Sequence, residues 1–487
     1  MRRLALFALL AGIVSVPAIA QEEGKIPTPL PLVARFTDAQ GRLLVGGGPE
    51  VEEIAAVLGA YVQARVVGTS GAVPLLAQGT ISIAVLPRAM TVNERAASRR
   101  FAGGAVLAIP VMDGLTAYAR RDGDGAADAR ALAQIRQLLS DETQAQLAIR
   151  LGGYRKLFPD DLAAARATLA KVAPAQTPDG PASDRLADGR LAIIGSDTLV
   201  TLLPDVLAGF ARRYPVPGFA ADLRGSSLAL PALTAGTSSL APMGREPWQE
   251  DIEAFRQVKG YAPTRIRIAY ASHGPRADGK TPPAIYVNAA NPLPRLSLAQ
   301  IRRIFAAGAP GGDIIEWPAL GVSTGQWKGA PVHVYGAQES GGFAVAMRQS
   351  KLEGLPFSAR YRSMPSGPAI LKAVANDPLG IGYATWMDGG EAPAGVRVVP
   401  LGKTEAGPFV LPSDVARRGA WPISYFFNIY VDQAPGHHVA PEVKALLTYL
   451  LSDEGQRIIA AHGNEEDGYV PLDAADLAAE RKIVERL

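Results

Sequence analysis

The residues whose types and spacing suit chemistry are concentrated in hydroxyl-bearing turns. Ser196-Asp197-Thr198 stands between an apolar run, residues 191–195, and a stretch with helical apolar spacing, residues 199–214. The side-chain oxygens suit an N-cap, and the amide N–H groups at the following helix start suit an anion. Gly225-Ser226-Ser227 repeats this arrangement ahead of residues 228–233. A third glycine-rich turn, residues 336–342, follows a strand-like segment at 331–335 and precedes the apolar-periodic FAVAMRQ. Hydroxyls and turn amides donate hydrogen bonds to an oxyanion without a metal. Arg245 would add a charged fork, with a surface or interlobe salt bridge as its plain structural alternative, and Arg224 suits solvent or an acidic partner. Ordinary loop and helix capping is the corresponding alternative for the serine turns.

No base accompanies these hydroxyls in the sequence. His273, His333, His437, His438 and His462 are dispersed, and Ser340, although followed by glycine, has no sequence-evident histidine partner. The absence of cysteine excludes disulfides, thiolate catalysis, cysteine-ligated metals and lipid attachment through an N-terminal cysteine. The expectation is a non-enzyme with no catalytic residue, metal or cofactor.

The elements that must position the turns come from a chain of 487 residues, long enough for several domains. Its composition, 48% hydrophobic and 20% charged, is that of folded domains rather than a disordered polyelectrolyte. Net charge is +3, or +1 without Arg2 and Arg3, which gives nonspecific nucleic-acid binding no support. MRRLALFALLAGIVSVPAIA has paired arginines, a short apolar run and small residues at 18 and 20, so residues 1–20 read as a cleavable export signal. The expected address is periplasmic, as a soluble protein and not a lipoprotein.

A partial internal repeat organises the remainder. Residues 68–88 lie on 225–245 at an offset of 157, matching Gly68, Pro74, Gly79 and Arg88 to Gly225, Pro231, Gly236 and Arg245 among others. A second match lays Pro110, Tyr118, Leu138 and Gln144 on Pro422, Tyr430, Leu450 and Gln456 at an offset of 312. The difference, 155 residues, is enough for an inserted domain in the second copy. The expected organisation is a truncated duplicate α/β lobe at 21–170, a Pro/Gly/Ala-rich linker at 171–190, and a larger domain at 191–487 with an inserted lobe at about 289–405. Residues 284–288 read as a strand leaving the first lobe, and the LSDEGQRIIAAHG segment reads as the helix completing it. The first copy carries Thr69, Ser70 and Arg88 opposite Ser226, Ser227 and Arg245, but no evident counterpart of GSDTL. A packing, dimerisation or partner-docking role is therefore preferred for it over a second ligand site.

In their order, GSDTL, RGSS, AGTSSLAPMGR, NPLPRLSLAQIRRIFAAG, YGAQESGG and LTYLLSDEGQ make residues 191–473 resemble a periplasmic phosphate-binding protein of the ABC-transporter type. The resemblance implies an α/β fold, a type II periplasmic-binding-protein-like two-lobe clamp, to which this chain adds an N-terminal single α/β lobe. It implies that Ser196, Asp197 and Thr198 form the first binding loop, Ser226 and Ser227 the second, and Ser340, Gly341 and Gly342 the inserted-lobe loop. Ser196, Ser226 and Ser340 would then approach one cleft, with Arg245 at its rim. The expected ligand is phosphate, a phosphorylated small molecule or a related oxyanion, delivered to an inner-membrane ABC permease. The chain departs from the family pattern at 335–342, where the strand-end arginine is missing and Gly342 replaces a threonine. Met243-Gly244-Arg245 also lacks a proton-accepting aspartate, and Glu339 would repel a fully ionised phosphate if it faced the cleft. The competing reading is an exported signalling or protein-interaction module derived from the same fold, with an envelope protein as partner.

Overall fold

The computed structural model describes residues 37–102, 106–121, 125–175, 183–214, 218–271, 283–339, 342–385, 393–412, 421–463 and 469–487. The signal expected at 1–20 and part of the linker expected at 171–190 lie outside them. The first unit runs β1 (Leu43–Gly47), α1 (Glu50–Leu58), β2 (Val62–Val66), α2 (Thr69–Gln78), β3 (Ile83–Leu86), α3 (Val92–Ala102), β4 (Leu107–Met112), β5 (Leu115–Ala119), β6 (Ala127–Asp128), α4 (Ala129–Leu138), α5 (Asp141–Arg150), α6 (Pro159–Ala170) and β7 (Pro174–Ala175). Its five-stranded sheet has the order β2-β1-β3-β5-β4. The β1 and β3 strands are buried throughout, as expected of apolar strands covered by helices on both faces.

The second unit opens with β8 (Leu191–Ile194), a short 3-10 turn at Asp197–Leu199, and α7 (Leu202–Arg213), so the helix begins later than its apolar spacing predicts. There follow β9 (Phe219–Asp222), α8 (Ser226–Ala235), β10 (Ala241–Met243), α9 (Gln249–Lys259) and β11 (Thr264–Tyr270). Then come β12 (Pro283–Asn288), β13 (Leu296–Ser297), α10 (Leu298–Phe305), β14 (His333–Ala337), α11 (Gly342–Ser350), β15 (Tyr361–Met364), α12 (Gly367–Ala375), β16 (Gly380–Thr385), β17 (Val396–Val398), β18 (Leu401–Gly402) and β19 (Phe409–Val410). The chain returns through β20 (Phe426–Val431), α13 (Pro441–Leu450), α14 (Asp453–Ala461) and α15 (Ala474–Glu485). The return therefore ends on α15, one helix later than LSDEGQRIIAAHG, which becomes α14. A separate sheet, β15-β14-β16-β12-β17, holds the intervening elements around their own core. Residues 284–288 do form a strand, but it is an interior strand of that sheet, hydrogen-bonded to β16 and β17. The architecture is mixed α/β, and no helix among the described residues is long and apolar enough to cross a membrane.

The registers of the two units correspond residue by residue. Leu107 faces Ala119 and Pro110 faces Thr116 across β4 and β5, as Thr264 faces Val431 and Arg267 faces Asn428 across β11 and β20, so Pro110 corresponds to Arg267 and not, as the spacing predicts, to Pro422; the offset of 312 holds only from β5 onward. Both ladders shift register at the same place, after Pro110 and after Arg267. Between β4 and β5 the connection is only Asp113-Gly114, with Gly114 at φ 90°, whereas between β11 and β20 the chain departs to build the other sheet. Gln144 explains one of the sequence matches: its amide donates to Leu138 O and Val111 O and accepts from Leu157 N. Gln456 likewise donates to Leu450 O and Ile268 O and accepts from Leu472 N. In each unit a buried amide with all three bonds made ties three elements together.

The units meet through α2, α3, α8 and α9. Gly71 lets α2 approach α9, since a Cβ there would stand 2.9 Å from Val258 Cγ2. Gln257 accepts from Gly71 N at 2.9 Å, and Thr237 donates to Gln78 at 2.6 Å.

Where the inserted sheet joins the second unit, Lys351 is buried and donates to Ser424 O at 2.5 Å. Its ammonium lies 6.0 Å from the Tyr425 ring and 5.6 Å from that of Phe426. Burial pushes its pKa down from 10.5 to about 8, opposed by the Glu246 carboxylate, which itself accepts from Asn428 and Tyr430. The folded pKa is below the unfolded one, so between about pH 8 and 10.5 the unfolded chain holds more protons at this group. Stability should therefore gain a contribution as pH rises through that window. Denaturant titrations from pH 7.5 to 10.5 should show a larger rise, or a smaller fall, for the native chain than for Lys351→Met; parallel curves would contradict it.

Candidate functional site

The GSDTL turn is held by three strand ends. β8 pairs in parallel with β9, and Gly195 N donates to Asp222 O while Gly225 N donates to Gly195 O, each at 2.9 Å. Ser196 N donates to Pro242 O on β10, also at 2.9 Å. Glycine is required at 195, because a Cβ there would stand 2.5 Å from that same carbonyl oxygen. Gly225 sits at φ 145° and starts α8, an apolar helix buried along most of its length. Far down the chain, the Tyr469 hydroxyl donates to Thr198 O and pins the turn from the other side.

These constraints bring three hydroxyls together. Ser226 Oγ donates to Ser196 Oγ at 2.9 Å, and Ser196 and Thr198 hydroxyls are 2.8 Å apart. Ser196 Oγ also accepts from Thr198 N, and Ser226 Oγ accepts from Gly244 N, both at 3.2 Å. Ser196 is fully buried. Ser227 follows in the first turn of α8, and its hydroxyl bonds to no other described residue. The result is a hydroxyl chain beside a helix N-terminus, where peptide dipoles and unpaired N–H groups favour negative charge.

The other candidates are placed differently. Asp197 is exposed, and it is Ser196, not Asp197, that caps the short helical turn. Arg224 forms a buried fork on Asp222, with contacts of 2.7 and 2.8 Å. Arg245 stacks over Trp248 at 3.4 Å, donates to Glu246 O at 2.8 Å and lies 3.8 Å from Asp251. Burial lowers the Arg245 pKa and raises that of Asp251 to about 6. Ser340 and Gly341 lie outside the described residues; Gly342 is the first residue of α11. Around that helix start, Phe343 stacks on Tyr383 at 5.2 Å, and Tyr361 donates to Ala337 O at 2.5 Å. Gly336 makes room for Tyr361, whose hydroxyl would be 2.2 Å from a Cβ there. Burial pushes the Tyr361 phenol up to about 12 and keeps it a neutral donor. Among the described residues no group of histidines and carboxylates is placed to hold a metal.

The residues that sequence reasoning overlooked are Gly244, Pro242 and Tyr469. The repeat offered a signal for the first two, because both lie within the matched 225–245 segment; Tyr469 offered none. The first unit also has a turn at the position of GSDTL. Gly47 occupies the place of Gly195, with a Cβ 2.4 Å from Val85 O, so Gly48 and Glu50 stand where Ser196 and Thr198 stand in the second unit. Glu50 accepts from Tyr154 at 2.8 Å, and Arg88 forks onto Glu94 while donating to Ser70 at 3.3 Å. A carboxylate and no hydroxyl at those two positions disfavour an anion there.

No family model matches the chain. The phosphate-binding protein PstS of Pseudomonas aeruginosa, in two strains, is 32% identical over 301 residues, covering 61% of this chain and 87% of the relative. Among solved structures, a possible phosphate binding protein from Planctomyces limnophilus is 17% identical with a TM-score of 0.32, covering 61% of this chain and 98% of its own. An ABC-type phosphate transport receptor from Vibrio cholerae is 16% identical with a TM-score of 0.34, covering 58% and 100% respectively.

Gly244→Ala tests whether the hydroxyls work as a set. Its Cβ would fall 2.2 Å from Thr198 Oγ1 and 2.9 Å from Ser196 Oγ, so the cluster must open. The expected outcome is a folded protein whose thermal stabilisation by oxyanions drops about tenfold or more in apparent affinity; unchanged stabilisation would remove the cluster from the binding site.

Proposed function

The chain belongs to the family of the phosphate-binding protein PstS, and on that premise we propose that residues 191–487 capture phosphate or a closely related oxyanion non-covalently between two lobes. The observation that carries this reading is the Ser226–Ser196–Thr198 hydroxyl chain at the N-terminus of α8. Ser227 and the first amides of α8 supply further donors, and Ser340, Gly341 and Gly342 supply them from the other lobe. Capture is a binding step without bond making or breaking in the ligand, so the protein is not an enzyme. Residues 1–20 direct export to the periplasm, and the closed form delivers its ligand to an inner-membrane ABC permease. The clamp is of the type II kind, with the segment between β11 and β20 as its second lobe. The first unit is a shortened duplicate of the first lobe, supported by the matched registers and by Gln144 and Gln456. Gly48 and Glu50 in place of Ser196 and Thr198 leave one oxyanion site per chain.

The direct test is thermal stabilisation of protein freed of carried ligand by phosphate, arsenate, sulfate and phosphorylated small molecules. Phosphate at a hundredfold excess over its Kd should add about 2.7 kcal/mol. Ser226→Ala should weaken the response about tenfold or more while leaving the unliganded protein folded. Absence of a saturable response to every anion, together with selective capture of an envelope protein, would favour the interaction-module reading instead.

A further inference from the structure

The supports of the two units match closely enough for their differences to be informative. Arg166 on α6 donates to Leu139 O at 2.9 Å and pairs with Asp141 at 2.8 Å; Arg481 on α15 donates to Leu451 O at 2.8 Å and pairs with Asp453 at 3.0 Å. The same correspondence lays Pro110 on Arg267, Asp113 on Tyr270, Gly114 on Phe426, Asp161 on Asp476 and Ala165 on Glu480. In the second unit these side chains fill the space between β11 and α15. The Arg267 guanidinium lies 4.8 Å from the Phe426 ring centre, donates to Glu480 and stands 3.0 Å from Asp476, to which Tyr270 also donates at 2.6 Å.

In the first unit the corresponding space is a cavity of about 540 Å³, lined by Pro110, Met112, Asp113, Gly114, Asp161 and Ala165 among others. That volume lies within the roughly 300–1,000 Å³ of ordinary ligand sites. One carboxylate of the filled arrangement persists as Asp161, while the guanidinium, the ring and the phenol are gone. Asp161 makes no ion pair with another described residue. Asp113 is 3.3 Å from Arg155, whose side chain is 81% exposed, so solvent screens that pair. Arg88, also on the cavity wall, has its charge matched by a two-pronged pair with Glu94. The cavity wall is thus of mixed character, with apolar side chains, an acidic side and a cation already paired with Glu94, and nothing in it takes the place of Arg267.

We propose that this cavity is a docking site for a partner protein that presents an arginine beside an aromatic residue, the guanidinium meeting Asp161 and Asp113 and the ring resting against Met112 and Pro110. The occupant is defined by the groups that the second unit supplies from its own chain. A planar guanidinium suits such a site better than an ammonium, because it can stack on a ring and hydrogen-bond a carboxylate at the same time. The proposal concerns the first unit alone and stands whether or not the second unit binds phosphate.

Fluorescence anisotropy on the purified protein with a labelled Gly-Arg-Phe-Gly peptide tests it, against the same peptide with glutamine for arginine. Saturable binding below about 1 mM is expected for the arginine peptide, with at least tenfold weaker binding of the glutamine peptide. Asp161→Asn, a change at an exposed position, should weaken the arginine peptide by a similar factor without altering the melting curve. The double variant Pro110→Arg with Ala165→Glu should restore the filled arrangement and abolish binding. No saturation up to about 1 mM, equal binding of both peptides, or an Asp161→Asn variant that binds like the native chain would each overturn the proposal.

Discussion

The antiparallel ladder between β11 and β20 is the constraint on which the second unit depends. Its residues are adjacent in space, Arg267 opposite Asn428 and Thr264 opposite Val431, yet a whole sheet with its own core separates them in sequence. Such a connection is tolerable because the intervening segment folds on itself and returns its ends to one place. The loop-closure entropy is then offset by that segment's own buried contacts rather than by the two strands alone. The ladder also determines which side chains crowd the junction: Lys351, Tyr425 and Phe426 meet there because the chain leaves and re-enters at that point.

The hydroxyl cluster follows from the same scaffold. Ser196, Ser226 and Gly244 follow the ends of β8, β9 and β10, and parallel packing of β8 with β9 brings the turns beyond them together. Glycines at 195 and 244 provide the space, since a side-chain carbon at either would strike Pro242 O or Thr198 Oγ1. The backbone of the first unit makes the same approach at Gly47, but Gly48 and Glu50 leave no hydroxyl pair to assemble. Similar backbones with different turn residues therefore give different electrostatics, which is why fold alone does not assign a ligand to either unit.

Much of this was legible in the residues. The offsets 157 and 312 correspond to strand registers that hold in both units, because a register slip would turn every buried side chain outward. The paired Gln144 and Gln456 were visible as a match, though not as ties between a helix end and a strand. Other features were not legible. The direction of the Arg245 side chain depends on Trp248 and Asp251, whose neighbourhood arises only when α9 packs beside α2 and α8. The turn at Gly47 is not legible in the residues because its match to Gly195 lies in geometry and not in residue identity, and because the connection to α8 is longer than the connection to α2.

By itself, the sequence determined the mixed α/β character, the internal match and the serine-bearing turns, since each rests on periodicity, turn chemistry or spacing along the chain; the assignment of residues 284–288 to the other sheet was not among them. Tertiary structure alone decided which hydroxyls touch, which arginines are committed to carboxylates, and where one unit is filled and the other hollow. Some of those contacts, such as Arg224 on Asp222, are close in sequence, but which of the available partners a side chain meets depends on strand ends and helices packed from distant parts of the chain. Tyr469 reaching Thr198, or Glu480 reaching Arg267, is a consequence of strand order and helix packing that no local pattern encodes.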